Sequence, residues 1–254
     1  MRRVWNSFLI AFAMFSKIPV PRADWDKENM KYMMCFFPAV GAVAGVLFCA
    51  AGVLCVRLGS GSVLRGAVLT LLPVLVTGGI HLDGFLDTAD ALSSYQPVER
   101  KLEILKDSHA GAFAVIMGCA YFTLSLGVFS ELDERAWPFM ALTFVLSRSL
   151  SSLALSTFPK ANKSGSLSLF SDAAQKRALF GALAVWIGCA AGLGLWWDWR
   201  RALIMLGTAG ASYVFYYRLA MKEFGGTTGD VAGFFVQVCE LACALTLMLG
   251  GKLL

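Results

Sequence analysis

Charged residues are scarce in this sequence of 254 residues. Lys, Arg, Asp and Glu together make up 15% of it, whereas a typical soluble domain carries about 25%. Hydrophobic residues make up 57%. So few charged side chains cannot cover the surface of a water-soluble globule of this size. The composition therefore argues against a soluble protein and predicts a membrane protein.

Cysteine pairs of the redox or metal-binding type are also lacking. The sequence has seven cysteines, none of them in a C-x-x-C pair, and all lie within apolar runs. The two histidines, His81 and His109, do not have the spacing of a zinc site. We therefore interpret the cysteines as small helix-packing residues and expect neither a disulfide nor a zinc site.

No basic stripe with interleaved aromatic residues is present, although the formal net charge is +5. The basic residues are spread among short loops between apolar runs, which is typical of a membrane protein and argues against a nucleic-acid partner.

An apolar stretch at positions 4–18 follows two arginines, but Lys17 and Pro19 stand where a signal peptide would have its cleavage site. We predict that this stretch is retained as a short interfacial or re-entrant helix.

Long apolar runs are what the sequence has in abundance. A helix needs about 20 apolar residues to cross the hydrocarbon core of a bilayer. Seven runs approach or reach that length, and the second continues to residue 92 through a segment with three aspartates. The runs are 33–56, 66–80, 110–129, 136–158, 178–197, 202–217 and 231–250. The predicted fold is all-α: one polytopic transmembrane catalytic domain, 1–254, with about six to seven spans.

Small residues recur within these runs, as at Gly41 and Gly45 and at Gly188 and Gly192. Such pairs predict close contacts between helices. Low-complexity linkers and internal repeats are lacking, which agrees with a single domain.

The orientation of the spans follows from counting Lys and Arg in alternate loops. With seven spans, one side holds 15 and the other 6, while Arg148 lies inside a span. Because cytoplasmic loops are enriched in Lys and Arg, the richer side is predicted to be cytoplasmic. This places the loops at 83–107, 160–177 and 225–230 on one face of the membrane.

The segment 81–90 carries the strongest chemical signal. Asp83, Asp87 and Asp90 are spaced at i, i+4 and i+7, so they share one face of a helix. Like charges at that spacing repel each other, and carboxylates near a bilayer are costly unless they are paired. A divalent cation such as Mg²⁺, which prefers oxygen ligands, would relieve the repulsion. The simpler alternative is an amphipathic helix whose acids only face water.

Two polar segments precede later spans. Residues 106–109 read KDSH, which is also the pattern of a simple helix cap. Residues 225–230 read GGTTGD, a glycine-rich turn that ends in Asp230 at the start of a span. Backbone N–H groups at such a helix start favour phosphate, and Asp230 is a further candidate metal ligand.

Arg148 and Glu240 are charged residues inside predicted spans. Charges there usually face the bundle interior and serve function. Two interpretations stay open for Arg148: with Lys160 and Lys163 it contacts a polyphosphate, or it forms a structural ion pair with Glu240.

Five motifs, in this order, resemble those of the cobalamin synthase family, also called adenosylcobinamide-GDP ribazoletransferases. They are IPVP at 18–21, Phe37-Pro38 with Gly41, H-x-D-G-x-x-D-T-x-D at 81–90, K-D-S-x-x-G-A-F at 106–113 and G-G-x-T-G-D at 225–230. The resemblance extends over essentially the whole chain. Some members carry an acid at the position of Leu82 and an arginine at that of His109.

The resemblance implies a Mg²⁺-dependent transfer from adenosylcobinamide-GDP to the ribose hydroxyl of α-ribazole or its 5′-phosphate, with release of GMP. The expected location is the cell inner membrane, with the active site facing the cytoplasm. Asp83, Asp87 and Asp90 are the expected catalytic residues, and together with Asp230 they are the expected metal ligands. The expected substrate-binding residues are His81, Lys106, Asp107, His109, Arg148, Lys160, Gly226, Thr228 and Gly229.

The competing class is a secondary transporter, in which intramembrane acids and glycine-broken helices bind ions near the midplane. The acids here stand at span ends on one predicted face, which favours an enzyme working at the membrane boundary. The choice between ribazole and its phosphate stays open, and so does the number of metal ions. Homo-oligomerisation and association with other corrinoid-synthesis enzymes are also left open.

Overall fold

The computed structural model describes residues 2–107, 109–161 and 173–253. Ser108, Lys163 and most of the polar segment 160–177 lie outside the described residues. The described part is helical, apart from one isolated β-bridge between Lys160 and Thr227.

Eleven α-helices and one short 3₁₀-helix, Glu134–Ala136, make up the described part of the chain. The α-helices are α1 (Arg2–Phe15), α2 (Lys27–Met30), α3 (Met33–Arg57), α4 (Ser62–Thr77), α5 (Ile80–Ser93), α6 (Val98–Ile104), α7 (Ala112–Glu131), α8 (Trp137–Thr157), α9 (Ala173–Trp197), α10 (Trp199–Phe224) and α11 (Gly229–Leu253). The predicted all-α fold is confirmed.

Five of these helices are long and apolar enough to cross a bilayer, namely α3, α7, α8, α9 and α11. The short helices α4 and α5 meet the same criterion only as a pair, with a 97° bend between them. Helix α10 contains the predicted span 202–217 and is long enough at 26 residues, but its composition is too polar to meet the criterion. By length and composition, five or six spans meet the criterion, compared with the six to seven predicted.

The outer surface of the bundle is apolar. Val46, Leu75, Val115 and Val185 are each more than 60% exposed. An apolar surface of this extent is unfavourable in water, whereas lipid tails solvate it well. The chain is therefore a polytopic membrane protein.

Glycines in α3 let this helix pack closely on α8. A methyl group built on Gly41 would lie 2.3 Å from the main-chain oxygen of Phe144, and one on Gly45 would lie 2.7 Å from the Cα of Ala141. The predicted close contact at these two glycines is confirmed. The prediction for Gly188 and Gly192 is wrong, because a methyl group on either would meet nothing within 4 Å.

Two glycines separate α4 from α5 and set the direction of α5. Gly78 and Gly79 have φ of 65° and 80°, a left-handed conformation that side chains disfavour. The N–H of Lys17 donates to the carbonyl of Val76 (2.8 Å), and the Lys17 side chain packs over Gly78. The end of α1 therefore holds the bend from which α5 and its aspartates project.

Candidate active site

The three aspartates of α5 lie on the less buried part of that helix. His81, Leu82, Gly84, Phe85, Thr88, Ala89 and Ala91 are buried, whereas Asp83 is exposed and Asp87 and Asp90 are partly buried. The charges of Asp83 and Asp90 both act on Asp87. The predicted face of three neighbouring carboxylates is therefore present.

Asp230 joins this face from another helix. A methyl group built on Gly84 would lie 2.7 Å from the main-chain oxygen of Asp230, and one on Gly233 would lie 3.1 Å from that of His81. These two glycines allow the first turns of α5 and α11 to touch. The charge of Asp230 consequently acts on Asp87 as well. Four carboxylates from two helices thus form one cluster.

The cluster has no basic partner in the described part of the chain. None of the ion pairs found between described residues includes Asp83, Asp87, Asp90 or Asp230. The other charges that act on Asp87 are all negative. Uncompensated like charges of this kind are unfavourable beside an apolar bundle.

The donor atoms of the cluster suit a hard divalent cation. No group of three or more His, Cys, Asp or Glu side chains is arranged at metal-binding spacing among the described residues. Mg²⁺, however, usually takes only one or two carboxylates and completes its shell with water and substrate phosphate. All four side chains offer oxygen, and the Gly84 contact brings two helices together around them. The residues therefore fit Mg²⁺.

Asp90 also contacts the start of α7. Its Oδ1 accepts a hydrogen bond from the N–H of Ala114 (3.3 Å). A methyl group on Gly111 would lie 2.2 Å from the Asp90 Oδ2, so a side chain at this position would displace the carboxylate. Asp90 is thus oriented by α7, a contact that its spacing on α5 did not predict.

The glycine-rich turn 225–230 is held by the chain that follows α8. The N–H of Thr227 donates to Pro159 (2.8 Å), and the N–H of Ala161 donates to Thr227 (3.1 Å). Gly226 leaves no room for a side chain, since a methyl group would lie 2.5 Å from the nitrogen of Ala161. The Thr228 hydroxyl accepts from the N–H of Val231 (3.2 Å) and caps α11. Lys160 and the turn are therefore brought together next to Asp230.

Burial and the nearby charge of Lys176 lower the pKa of Lys160. Both causes disfavour the charged form of the Lys160 amine.

The predicted polar segment before α7 is exposed. Lys106, Asp107 and His109 all face solvent. The backbone N–H and Nδ1 of His109 bond to the Asp107 carboxylate (3.0 and 2.7 Å), and these bonds lower the pKa of Asp107. The segment leads into Gly111, beside Asp90, so it borders the carboxylate cluster without entering it.

Arg148 lies inside the bundle, with 1% of its surface exposed. Its Nη1 donates to Glu240 and to the carbonyl of Phe144. The Ser147 hydroxyl also donates to Glu240 (2.7 Å). The predicted ion pair between Arg148 and Glu240 is confirmed, while a contact of Arg148 with substrate stays a prediction.

Two cavities border the carboxylate cluster at Asp83. The larger, of about 600 Å³, is lined by Ser16, Lys17, Thr77, the glycines of the α4–α5 bend and Asp83. The smaller, of about 250 Å³, is lined mainly by apolar side chains together with His81, Asp83 and Asp230. Asp83 lines both cavities.

Lys17 was not predicted as a site residue, although it is the only cation that lines either cavity among the described residues. The sequence signal was the Gly78-Gly79 pair. A helix break of this kind requires another part of the chain to pack against it.

Comparisons with known proteins identify the family of this chain. The family described as cobalamin-5-phosphate synthase matches residues 7–248. An adenosylcobinamide-GDP ribazoletransferase of Lachnoclostridium phytofermentans is 43% identical over 96% of this chain and 94% of its own. A protein of the same name from Clostridium botulinum (strain Alaska E43) is 32% identical over 97% of this chain and 100% of its own. Another from Geobacillus thermodenitrificans is 30% identical over 93% of this chain and 93% of its own. No solved structure matches the chain. The chain is therefore a transferase enzyme that belongs to the cobalamin-5-phosphate synthase family.

Proposed function

We propose that this enzyme transfers the adenosylcobinamide-phosphate group of adenosylcobinamide-GDP to the ribose hydroxyl of α-ribazole or its 5′-phosphate and releases GMP. The relatives' names state the donor and the ribazole acceptor. The observation that carries the proposal is the cluster of four carboxylates from α5 and α11, which has no basic partner among the described residues.

In the proposed reaction, the ribose hydroxyl oxygen bonds to the phosphorus that stays with the corrinoid. The P–O bond to the GMP phosphate breaks, and the hydroxyl proton is lost. Phosphoryl transfer of this kind depends mostly on positioning and on neutralising charge. Mg²⁺ held by Asp83, Asp87 and Asp230 would neutralise the pyrophosphate. Asp90, which α7 holds in place through Ala114, orients the hydroxyl and accepts its proton.

The groups that surround the cluster suit a polyphosphate. The start of α11 presents backbone N–H groups, which favour phosphate. Lys17 lines the larger cavity beside Asp83, and Lys160 borders the turn that precedes Asp230. We propose that the pyrophosphate of the donor lies between these groups and the carboxylates.

We also propose that the site faces the cytoplasm from the inner membrane. With the seven spans of the sequence-based assignment, the loops that carry 15 of the basic residues include the segments at 83–107 and 160–177. Hydrogen bonds, glycine contacts and a shared cavity bring Asp83, Asp90, Lys160 and the 225–230 turn to one end of the bundle. This agrees with the common face expected from the charge asymmetry.

The experiment is a turnover assay with the detergent-solubilised protein, adenosylcobinamide-GDP, α-ribazole or its phosphate, and Mg²⁺. We expect stoichiometric GMP and a corrinoid with a completed nucleotide loop, both abolished by a chelator. Turnover in detergent also separates an enzyme from a transporter, because a transporter needs a sealed compartment to show its activity. An absence of GMP with both acceptors would contradict the proposal.

A further inference from the structure

The smaller cavity beside the carboxylate cluster has an unusual lining. Its volume is about 250 Å³, and its apolar part consists of Met14, Phe15, Met33, Met34, Ile80 and Leu155. Gly229 and the carboxylates of Asp83 and Asp230 border it on the side of the cluster. The cavity is thus an apolar chamber with one charged edge.

His81 is the one uncharged polar side chain in this lining. The imidazole is 5% exposed and lies beside the rings of Phe15 and Phe37, with centroids 6.3 and 5.4 Å away. Its Nε2 is buried and has no hydrogen-bond partner among the described residues. A buried polar atom without a hydrogen-bond partner costs free energy. We therefore expect a bound ligand to supply the missing partner of this nitrogen.

We propose that this cavity binds the base of the acceptor, the dimethylbenzimidazole of α-ribazole, and that the His81 Nε2–H donates to the free imine nitrogen of that base. This inference rests on the proposed function. The base is a flat bicycle with one hydrogen-bond acceptor and an otherwise hydrocarbon edge. The cavity offers one uncharged polar side chain and an otherwise apolar wall. His81 thus corresponds to the single acceptor of the base, and the apolar wall corresponds to its hydrocarbon edge.

The size of the cavity supports this occupant over the others in the reaction. An apolar cavity of about 150 Å³ is known to bind benzene, so about 250 Å³ accommodates a bicyclic base. The corrin ring is far too large for it. Guanine is similar in size, but its several donors and acceptors would stay unpaired against Met33, Met34 and Leu155, which is unfavourable.

The position of the cavity also suits a reaction between an acceptor bound here and a donor bound in the larger cavity. A base bound beside His81 directs its ribose towards Asp83 and Asp230, which border the cavity. Asp83 lines the larger cavity as well, where we place the donor pyrophosphate. The acceptor hydroxyl and the donor phosphorus therefore meet at the carboxylates.

The first test removes the proposed hydrogen bond in two ways, by changing His81 in the protein and by changing the imine nitrogen in the ligand. The parent and His81→Phe are compared with α-ribazole and with an analogue in which C–H replaces the imine nitrogen of the base. We expect the parent to bind α-ribazole about tenfold more tightly than the analogue, the scale of one hydrogen bond. His81→Phe should bind both equally weakly, while the KM for adenosylcobinamide-GDP stays at the parent value.

The second test changes the size of the cavity. Leu155→Phe should raise the KM for α-ribazole by more than the KM for the riboside of benzimidazole without methyl groups. The matched control is Met248→Phe, which lies in the outward groove between α7 and α11. It should leave the ratio of the two KM values unchanged. A general folding defect would change both acceptors equally.

Both acceptors are measured by equilibrium binding as well as by turnover. If the parent releases no GMP, the proposed function fails, and the binding data still report on the cavity. If the parent turns over but His81→Phe keeps the preference for the imine nitrogen, the cavity does not bind this base as proposed. A rise in the KM of the donor alone would assign the cavity to guanine, and this would also overturn the proposal.

Discussion

Two groups of charged residues lie within the apolar bundle, and they differ in how their charges are balanced. Arg148 and Glu240 are 1% and 5% exposed and form an ion pair, to which Ser147 adds a hydrogen bond. The carboxylates of α5 and α11 lie at the end of the bundle, and no ion pair found between described residues includes them. The two charges of the first group balance each other, whereas the second group brings four like charges together.

The difference separates a structural role from a chemical one. A buried charge persists when its partner and hydrogen bonds offset the cost of removing it from water. Clustered charges of one sign gain nothing from each other, so the fold must hold them together by other means. Here Gly84 and Gly233 provide those means, because they let α5 and α11 touch. Four variants, taken from the largest expected effect to the smallest, and a final measurement with Mg²⁺ test this contrast.

Removing one partner of the buried ion pair should cost most stability. Arg148→Met should lower the free energy of unfolding by about 3–5 kcal/mol, because Glu240 would be left as an unpaired buried charge. The double variant Arg148→Met with Glu240→Leu should recover most of that loss, as measured by denaturation in detergent. If the double variant folds but loses GMP release by about a hundredfold, Arg148 contacts substrate and the contrast between the two groups fails.

Removing one charge from the cluster should instead affect turnover. Asp87→Asn should reduce GMP release by at least about a hundredfold, the scale of losing a charge-stabilising or acid–base group. Its melting temperature should not fall, because the change relieves repulsion from Asp83, Asp90 and Asp230. The control is Glu131→Gln, in an exposed ion pair with Lys252 at the opposite end of the bundle, which should turn over normally. Parent-like turnover of Asp87→Asn would refute the catalytic assignment.

Separating the two helices should weaken the cluster without changing any charge. In Gly84→Ala the new methyl group would lie 2.7 Å from the backbone oxygen of Asp230. Overpacking of this kind costs about 1–3 kcal/mol, and we expect lower turnover together with a lower melting temperature. In the matched control Gly127→Ala, the methyl group meets nothing within 4 Å. It should stabilise α7 by about 0.5–1 kcal/mol. Equal behaviour of the two variants would show that close contact between α5 and α11 is not required.

The smallest effect concerns a carboxylate that is paired but exposed. His109→Ala should raise the pKa of Asp107, because bonds from His109 hold that pKa below its ordinary value. The pKa of Asp107 is lower in the folded protein than in the unfolded chain. The ionised carboxylate therefore stabilises the loop at pH values above the pKa of the unfolded chain. This contribution is lost as pH falls through the folded pKa. An NMR titration of the Asp107 carboxyl should show the change, with no measurable shift in melting temperature. An unchanged pKa would mean that the bond to His109 is not formed in solution.

Much of this arrangement follows from sequence periodicity. The apolar runs predicted the five spanning helices, and the i, i+4, i+7 spacing placed Asp83, Asp87 and Asp90 on one face of α5. Spacing within one helix is local, so a helical repeat is enough to predict it. The all-α class followed from the same runs.

Contacts between distant segments were harder to predict. The role of Gly84 depends on the approach of α11, and that of Gly111 on the Asp90 carboxylate. Such contacts depend on which helices pack together, and residue spacing along the chain does not show this. Helix α10 differs from the prediction for another reason. This helix is long enough at 26 residues, but it is not among the helices that meet the hydropathy criterion, and it contains arginines and tyrosines.

A thermal melt in the presence and absence of Mg²⁺ tests whether carboxylates of both helices hold one cation. We expect Mg²⁺ to raise the melting temperature of the solubilised parent relative to a chelator. At a hundredfold excess over the dissociation constant, the stabilisation is about 2.7 kcal/mol. The double variant Asp83→Ala with Asp87→Ala should lose this gain, and Asp230→Ala should reduce it, while Glu131→Gln keeps it. An equal Mg²⁺-dependent rise in all four proteins would show that the cation binds elsewhere and would contradict the assignment of the cluster.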